Sequence, residues 1–205
     1  NAVDGPDLYE DVEVDYHPGD LRAQDILDIL DGQRSDQLPQ VISSTANDDV
    51  YLYFTGHGSQ QGMFIGANQA ADVVAPASFV SPERLADTVD DMDATNRYRR
   101  LLVAVEMCEG GAMGRALTAP HALVISAANA AENSLATNYA PGLDTWLGDQ
   151  FSVAFAREVA RNPAGSLGDL YGEVYLGVAG SHVTVYNAAN FSNLDTVPIS
   201  ELFGP

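Results

Sequence analysis

One histidine and the sole cysteine of this chain occupy matching places. His57 follows the apolar run Tyr51 to Phe54 by way of Thr55-Gly56, and Cys108 follows Leu101 to Val105 by way of Glu106-Met107. If both runs are strands of one parallel sheet, both side chains leave from carboxyl ends, where loops diverge and open a crevice. A cysteine and a histidine held together there make a thiolate nucleophile and its acid/base partner: the imidazolium favours the thiolate and later protonates the leaving amine. Each residue alone has a blander reading, since a lone cysteine is most often a small buried hydrophobe and a lone histidine a hydrogen-bonded loop residue. Their joint placement, 51 positions apart (108 − 57) and each close to glycine, favours the chemical reading. Glycine lets backbone N–H groups approach an oxyanion unobstructed, and Gly58, with the Cys108 N–H, is the candidate donor.

The elements that must hold these groups are readable from pattern. Val50 to Phe54 and Leu101 to Val105 are short, β-branched or aromatic, and apolar on both faces, as buried parallel strands are. Ala122 to Ser126 reads as a third strand, Gly62 to Gly66 as a short return strand, and His182 to Tyr186 as a last one. Leu21, Ile26, Leu27, Ile29 and Leu30 form a helical stripe, with Asp20 as the expected cap and Gly32 as terminator. Ser81-Pro82-Glu83 starts a second helix carrying Leu85, Val89 and Met92. Asp144 to Arg161 reads as a long helix burying Leu147, Phe151, Ala154, Phe155 and Val159 before Asn162-Pro163 stops it. Ser166 to Val178 is another helical stretch. Alternating strands and helices predict an α/β fold, a three-layer αβα sandwich with a mainly parallel sheet, in one domain over residues 1–205.

Composition narrows the partners. The 205 residues hold no Lys and 9 Arg against 29 Asp and Glu, a formal charge of −20. Such a surface repels nucleic-acid phosphates and anionic membranes, and the one arginine cluster, Arg97, Arg99 and Arg100, makes no basic patch. With 46% apolar residues, 9 Tyr and 7 Phe, the chain can build a core and is not disordered. One cysteine allows no intrachain disulfide. No apolar run reaches the ~20 residues of a membrane span. The first residues lack the cationic start and apolar core of a signal peptide, which a processed chain would have lost; the compartment stays open, with a secreted or extracytoplasmic setting favoured. Zinc on Cys108 with His57, His121 and His182 lacks a closely spaced ligand pair. Asp90, Asp91 and Asp93 fall on a helix rather than a ligand loop, so no metal site is assigned. Tyr51, Tyr53 and Phe54 read as core.

Five stretches, YLYFTGHGS (Tyr51 to Ser59), VEMCEGGAM (Val105 to Met113), SAANAAENS (Ser126 to Ser134), WLGDQFS (Trp146 to Ser152) and SHVTVY (Ser181 to Tyr186), together resemble the legumain, or asparaginyl endopeptidase, family of caspase-like cysteine peptidases. The upstream GPDLYEDVEVDYHPGD is similar to the family's segment before its second strand, and the separation of 51 is close to the about 50 of caspase-type sites. The resemblance implies a caspase-like fold, Cys108 as nucleophile, His57 as base and Gly58 in the oxyanion hole. It also implies Glu106 and Asp149 in the pocket for the residue before the scissile bond, and a pocket serine at the position of Asn133, or of Ser134 if the loop shifts by one. The implied activity is hydrolysis of peptides or proteins after Asn, and after Asp at acidic pH, without metal or organic cofactor. From the residues alone, two carboxylates suit the NH₂ of Asn or the guanidinium of Arg equally. The bland alternatives are a solvent-facing Asp149, a strand-end ion pair at Glu106, and a non-catalytic binding module that keeps the fold.

Departures from the family pattern matter. Gly56 stands where the family has Asp before the histidine, so the side chain that could form a succinimide is absent. The family's first strand and helix, with an Asn that orients the histidine and an Arg-His pair at the pocket, have no counterpart. The expectation is that about 50 to 60 upstream residues form a separate chain after cleavage, or lie outside this sequence, since an apolar sheet edge is otherwise an aggregation hazard.

Overall fold

Side-chain alternation along three strands sets the layers. In β1 (Asp49–Thr55), β5 (Arg100–Glu106) and β6 (Ala122–Ser126), Val50, Leu52, Leu101, Val103, Val105, Ala122 and Val124 feed one core, while Leu102, Ala104, Leu123 and Ile125 feed a second on the opposite face. Successive side chains of a strand point to opposite faces, so an all-apolar strand needs cover on both. The computed structural model describes residues 12–17, 19–65 and 79–204. The segment from Asn1 to Asp11 and Gly66, both part of the sequence reading, lie outside these described residues.

The four-stranded sheet runs in the order β1-β5-β6-β9, with β1, β5 and β6 parallel and β9 (Thr184–Tyr186) antiparallel to β6. On one face lie α1 (Ala23–Leu30), α2 (Pro82–Ala94) and α3 (Gly111–Ala116), burying Leu27, Leu30, Leu85, Val89, Met92 and Met113. On the other lie α4 (Gln150–Arg161), α5 (Leu167–Gly177) and α7 (Ile199–Phe203), burying Phe151, Phe155, Leu167, Leu170 and Ile199. The short α6 (Ala188–Phe191) follows β9. This is the expected αβα sandwich. Two small antiparallel sheets sit outside it: β2 (Gly58–Ser59), β3 (Gly62–Phe64) and β4 (Phe79–Val80), and the hairpin of β7 (Ala136–Ala140) and β8 (Thr145–Asp149). No helix among the described residues is long and apolar enough to cross a membrane.

Two expectations are corrected. The long helix from Asp144 begins only at Gln150, because Thr145 to Asp149 pairs as β8 with β7 and Asp149 caps the helix, accepting the Phe151 N–H at 2.7 Å. Leu147 is therefore 48% exposed rather than core. Asp20 does not cap α1; its carboxylate takes the His17 N–H, and Asp25 instead accepts the N–H of Arg22, the N-cap residue, at 2.7 Å.

An ion cluster fixes the start of the sheet. The Asp49 carboxylate, 4% exposed, lies 2.7 Å from the Arg99 guanidinium and 2.6 Å from that of Arg100, and Arg100 also bonds Glu201 of α7. Phe203 of α7 meets Tyr51 edge-on at 4.7 Å. Burial pushes the Asp49 carboxyl up, but the two guanidinium groups outweigh it and hold it below the ordinary range. Asp49→Asn takes from Arg99 and the mostly buried Arg100 the carboxylate they share, leaving Arg100 only Glu201, and is expected to cost about 3 kcal/mol at neutral pH in denaturant unfolding. Because the folded pKa is depressed, this contribution is full above the unfolded value near ~3.9 and is lost as pH falls through the folded one. The gap between wild type and Asp49→Asn should therefore narrow below about pH 4; a gap that widens there would contradict the assignment.

Candidate active site

Register brings the two candidate groups level. Tyr51 pairs with Leu102, Phe54 with Val105 and Thr55 with Glu106, an offset of 51 (106 − 55) that equals the separation of His57 and Cys108. Each residue stands two positions past a strand end, and both line one cleft of about 620 Å³. His57 is exposed; its carbonyl accepts the Phe64 N–H at 3.0 Å, which ties the loop to β3. The half-buried Cys108 has its Sγ 4.0 Å from the carbonyl oxygen of Ser134. Gly56, at φ 149°, turns the chain away from β1 after its N–H donates to the Glu106 carbonyl at 3.1 Å. Gly58 packs so closely on Met107 that a Cβ would fall 2.3 Å from its Sδ.

The glycines after Cys108 are required by packing. A Cβ on Gly110 would lie 2.6 Å from Ser126 Oγ, and one on Gly111 2.3 Å from the Tyr186 hydroxyl, so both let α3 settle against β6 and β9. Between them and Cys108, Glu109 takes φ 56°, unusual for a residue with a side chain. Its N–H donates to the Glu132 carbonyl at 2.8 Å.

Two anchored carboxylates share the cleft. Glu106 accepts the Tyr53 hydroxyl on Oε2 at 2.5 Å and the Thr55 hydroxyl on Oε1 at 2.8 Å. Asp149 accepts the Ser134 hydroxyl on Oδ2 and the Phe151 N–H on Oδ1. Burial, and then the bond to Glu106, push the Tyr53 phenol far up, so it stays a neutral donor. Burial also pushes the Asp149 carboxyl up; the Glu106 charge adds to this and the Ser134 and Phe151 donors oppose it. Each carboxylate oxygen keeps lone-pair capacity beyond its one internal donor, so the pair can accept N–H groups from a ligand.

Of the alternatives for the pocket serine, Ser134 lines the cleft and Asn133 is exposed and off its wall. His121 precedes β6 and so stands at the far end of the sheet from Cys108, while His182 pairs with Glu132. Sequence reasoning missed Thr55 and put Tyr53 wholly in the core. Tyr51 does pack on Phe155 and Phe203, but Tyr53, two residues on, reaches Glu106. The hairpin was also missed, although Pro141-Gly142 between ATNYA and TWLGD is a turn signal. It puts Trp146 and Leu147, 56% and 48% exposed, on the cleft wall.

The model of the peptidase C13 family matches residues 1–202. Human legumain is 31% identical over 158 residues, covering 75% of this chain and 34% of that protein. A putative GPI-anchor transamidase of Drosophila melanogaster is 24% identical over 200 residues, 95% of this chain and 54% of that one. The chain thus spans between a third and just over half the length of these relatives. In fold it is similar to caspase-1 from Spodoptera frugiperda, with a TM-score of 0.51 at 14% identity over 87% of this chain and 70% of that one.

The Ser134 hydroxyl stabilises the charged form of Asp149, so removing it favours the protonated form. Ser134→Ala is expected to raise the Asp149 pKa further, read by NMR titration of the ¹³C-labelled carboxyl. An unchanged or lowered value would sever Ser134 from the pocket.

Proposed function

This chain belongs to the peptidase C13 family, and from that premise we propose that it is a legumain-like cysteine endopeptidase cleaving after asparagine, with Cys108 as nucleophile and His57 as acid and base. The observation that carries the reading is the shared offset of 51, which sets both groups at one level beside a cleft with two anchored carboxylates. The Cys108 thiolate adds to the peptide carbonyl, the C–N bond breaks, and His57 delivers a proton to the departing amine. Water then attacks the thioester, giving up a proton to His57, and the acid product leaves with Cys108 restored. The Cys108 and Gly58 N–H groups are the proposed oxyanion donors.

Glu106 and Asp149 accept the carboxamide N–H groups of the substrate Asn in this reading. A negative cleft also suits a guanidinium, so arginine specificity is the competing outcome. Fluorogenic peptides with Asn, Asp or Arg before the reporter separate the two. Asn cleavage is expected, falling to background in Cys108→Ala, while equal signal from that variant would end the peptidase reading. Cleavage after Arg alone would keep the nucleophile and discard the pocket assignment. Because transamidases share the family match, an added amine that diverts product from acid to amide would show the same acyl-enzyme resolved by a second nucleophile.

The raised Asp149 carboxyl gives a pH signature. A substrate aspartate is repelled while Asp149 is ionised and is accepted once Asp149 carries a proton and can donate. Relative to Asn, cleavage after Asp is expected to rise as pH falls through the Asp149 pKa. Asp149→Asn, which keeps an equally good helix cap, should flatten the Asp149 part of that ratio. A ratio with the same pH dependence in the variant would remove Asp149 from the explanation.

A further inference from the structure

We propose that Glu132 is a positioning residue for the nucleophile, holding the turn after Cys108 in its working shape; this rests on the reading of Cys108 as nucleophile. Glu132 sits at the crossing of three segments. Its Oε1 accepts the Asn129 N–H at 3.0 Å and the His182 N–H at 2.6 Å, and His182 Nδ1 lies 2.8 Å from Oε2. The carboxylate therefore fastens the loop after β6 to the chain entering β9. From that fastened loop, the Glu132 main-chain carbonyl accepts the N–H of Glu109, the residue next to Cys108, at 2.8 Å.

That bond falls where the backbone most needs support. Glu109 holds φ 56°, a left-handed conformation that side-chain-bearing residues rarely adopt without an outside constraint. Its own carboxylate then takes the Gln60 N–H at 2.7 Å, joining the Cys108 turn to the loop that carries His57 and Gly58. Two residues past Glu132, Ser134 bonds Asp149 and presents its carbonyl oxygen to Cys108 Sγ. Glu132, through its carboxylate and its main-chain carbonyl, thus braces the nucleophile turn, which the Glu109 carboxylate joins to the histidine loop. Burial pushes the Glu132 carboxyl up, but its N–H donors outweigh that and hold it below the ordinary range, so it is ionised and fully engaged at neutral pH.

The two properties of the side chain, length and charge, separate in variants of the full chain. Glu132→Gln keeps the length and an Oε1 acceptor for both main-chain N–H groups; Glu132→Asp keeps the charge and shortens the reach. With Asn peptides well below each variant's melting temperature, Glu132→Asp and Glu132→Ala are expected to lose about 30- to 100-fold in kcat with KM changed less than about threefold, since a displacement near 1 Å costs about that much. Glu132→Gln should stay within about fivefold of wild type. Iodoacetamide labelling of Cys108, followed by intact mass, should slow by about tenfold in the Asp and Ala variants. A folded Asp or Ala variant with wild-type kcat and labelling rate would overturn the proposal, as would a Gln variant as impaired as Asp. If Ala fails to fold, the Asp and Gln pair decides alone. If wild type cleaves no peptide, the peptidase reading fails while the labelling rates still report whether Glu132 sets the turn.

Discussion

The parallel pairing of β1 with β5 in one register is the constraint on which the rest depends. Sliding one strand by a single residue would turn every side chain of the slipped strand to the other face. It would send Val50 and Leu52 into the wrong core and part Thr55 from Glu106. The same slip would move His57 by about 3.3 Å along the sheet relative to Cys108. Packing on two faces thus specifies the register, and the register sets His57 and Cys108 at one level. The Asp49 cluster pins the opposite end, where Arg99 and Arg100 precede or open β5 and grip the first residue of β1.

The loops then have to be held as firmly as the strands, and here hydrogen bonds replace apolar contact. Glu106 and Asp149 each meet protein donors on both oxygens, which hold each carboxylate in one orientation. A carboxylate held this way is an oriented acceptor, and orientation fixed before binding is what raises selectivity without ordering cost. Glu132 and Glu109 extend the principle to main-chain groups around Cys108.

What was legible in the sequence and what was not divides along the range of the signal. The strands at Tyr51, Leu101 and Ala122 are written in continuous apolar runs, and the layers follow from alternation with helices, so fold class and the strand-end placement of His57 and Cys108 could be read directly. The start of α4 could not, because Trp146 and Leu147 continue the helical stripe in sequence; only their pairing with Tyr139 and its neighbours across the hairpin makes them a strand. Tyr53 looked like Tyr51 for the same reason: identical type and period on one strand, yet one ends against Phe203 and the other on a carboxylate. Glu132 carried no local signal, since its partners lie 3 and 50 residues away.

The charge of −20 acquires a location through these contacts. Of the nine arginines, Arg99 and Arg100 serve Asp49, Arg161 serves Glu158 and Glu173, Arg22 serves Asp25, and Arg97 bonds the carbonyls of Asp31 and Ile42. None lines the cleft of Cys108. Among the described residues its charged groups are Glu106 and Asp149, and His57 is the one side chain there able to become a cation. A negative charge in a cleft that already holds two carboxylates has unfavourable Coulomb energy unless a positive charge stands beside it. Under the proposed peptidase reading, His57 is the one group in this cleft able to offset a negative charge on Cys108. Under the same reading, the two carboxylates would favour the positive edge of a carboxamide over an ionised aspartate, so one set of charges would serve both the nucleophile and substrate selection.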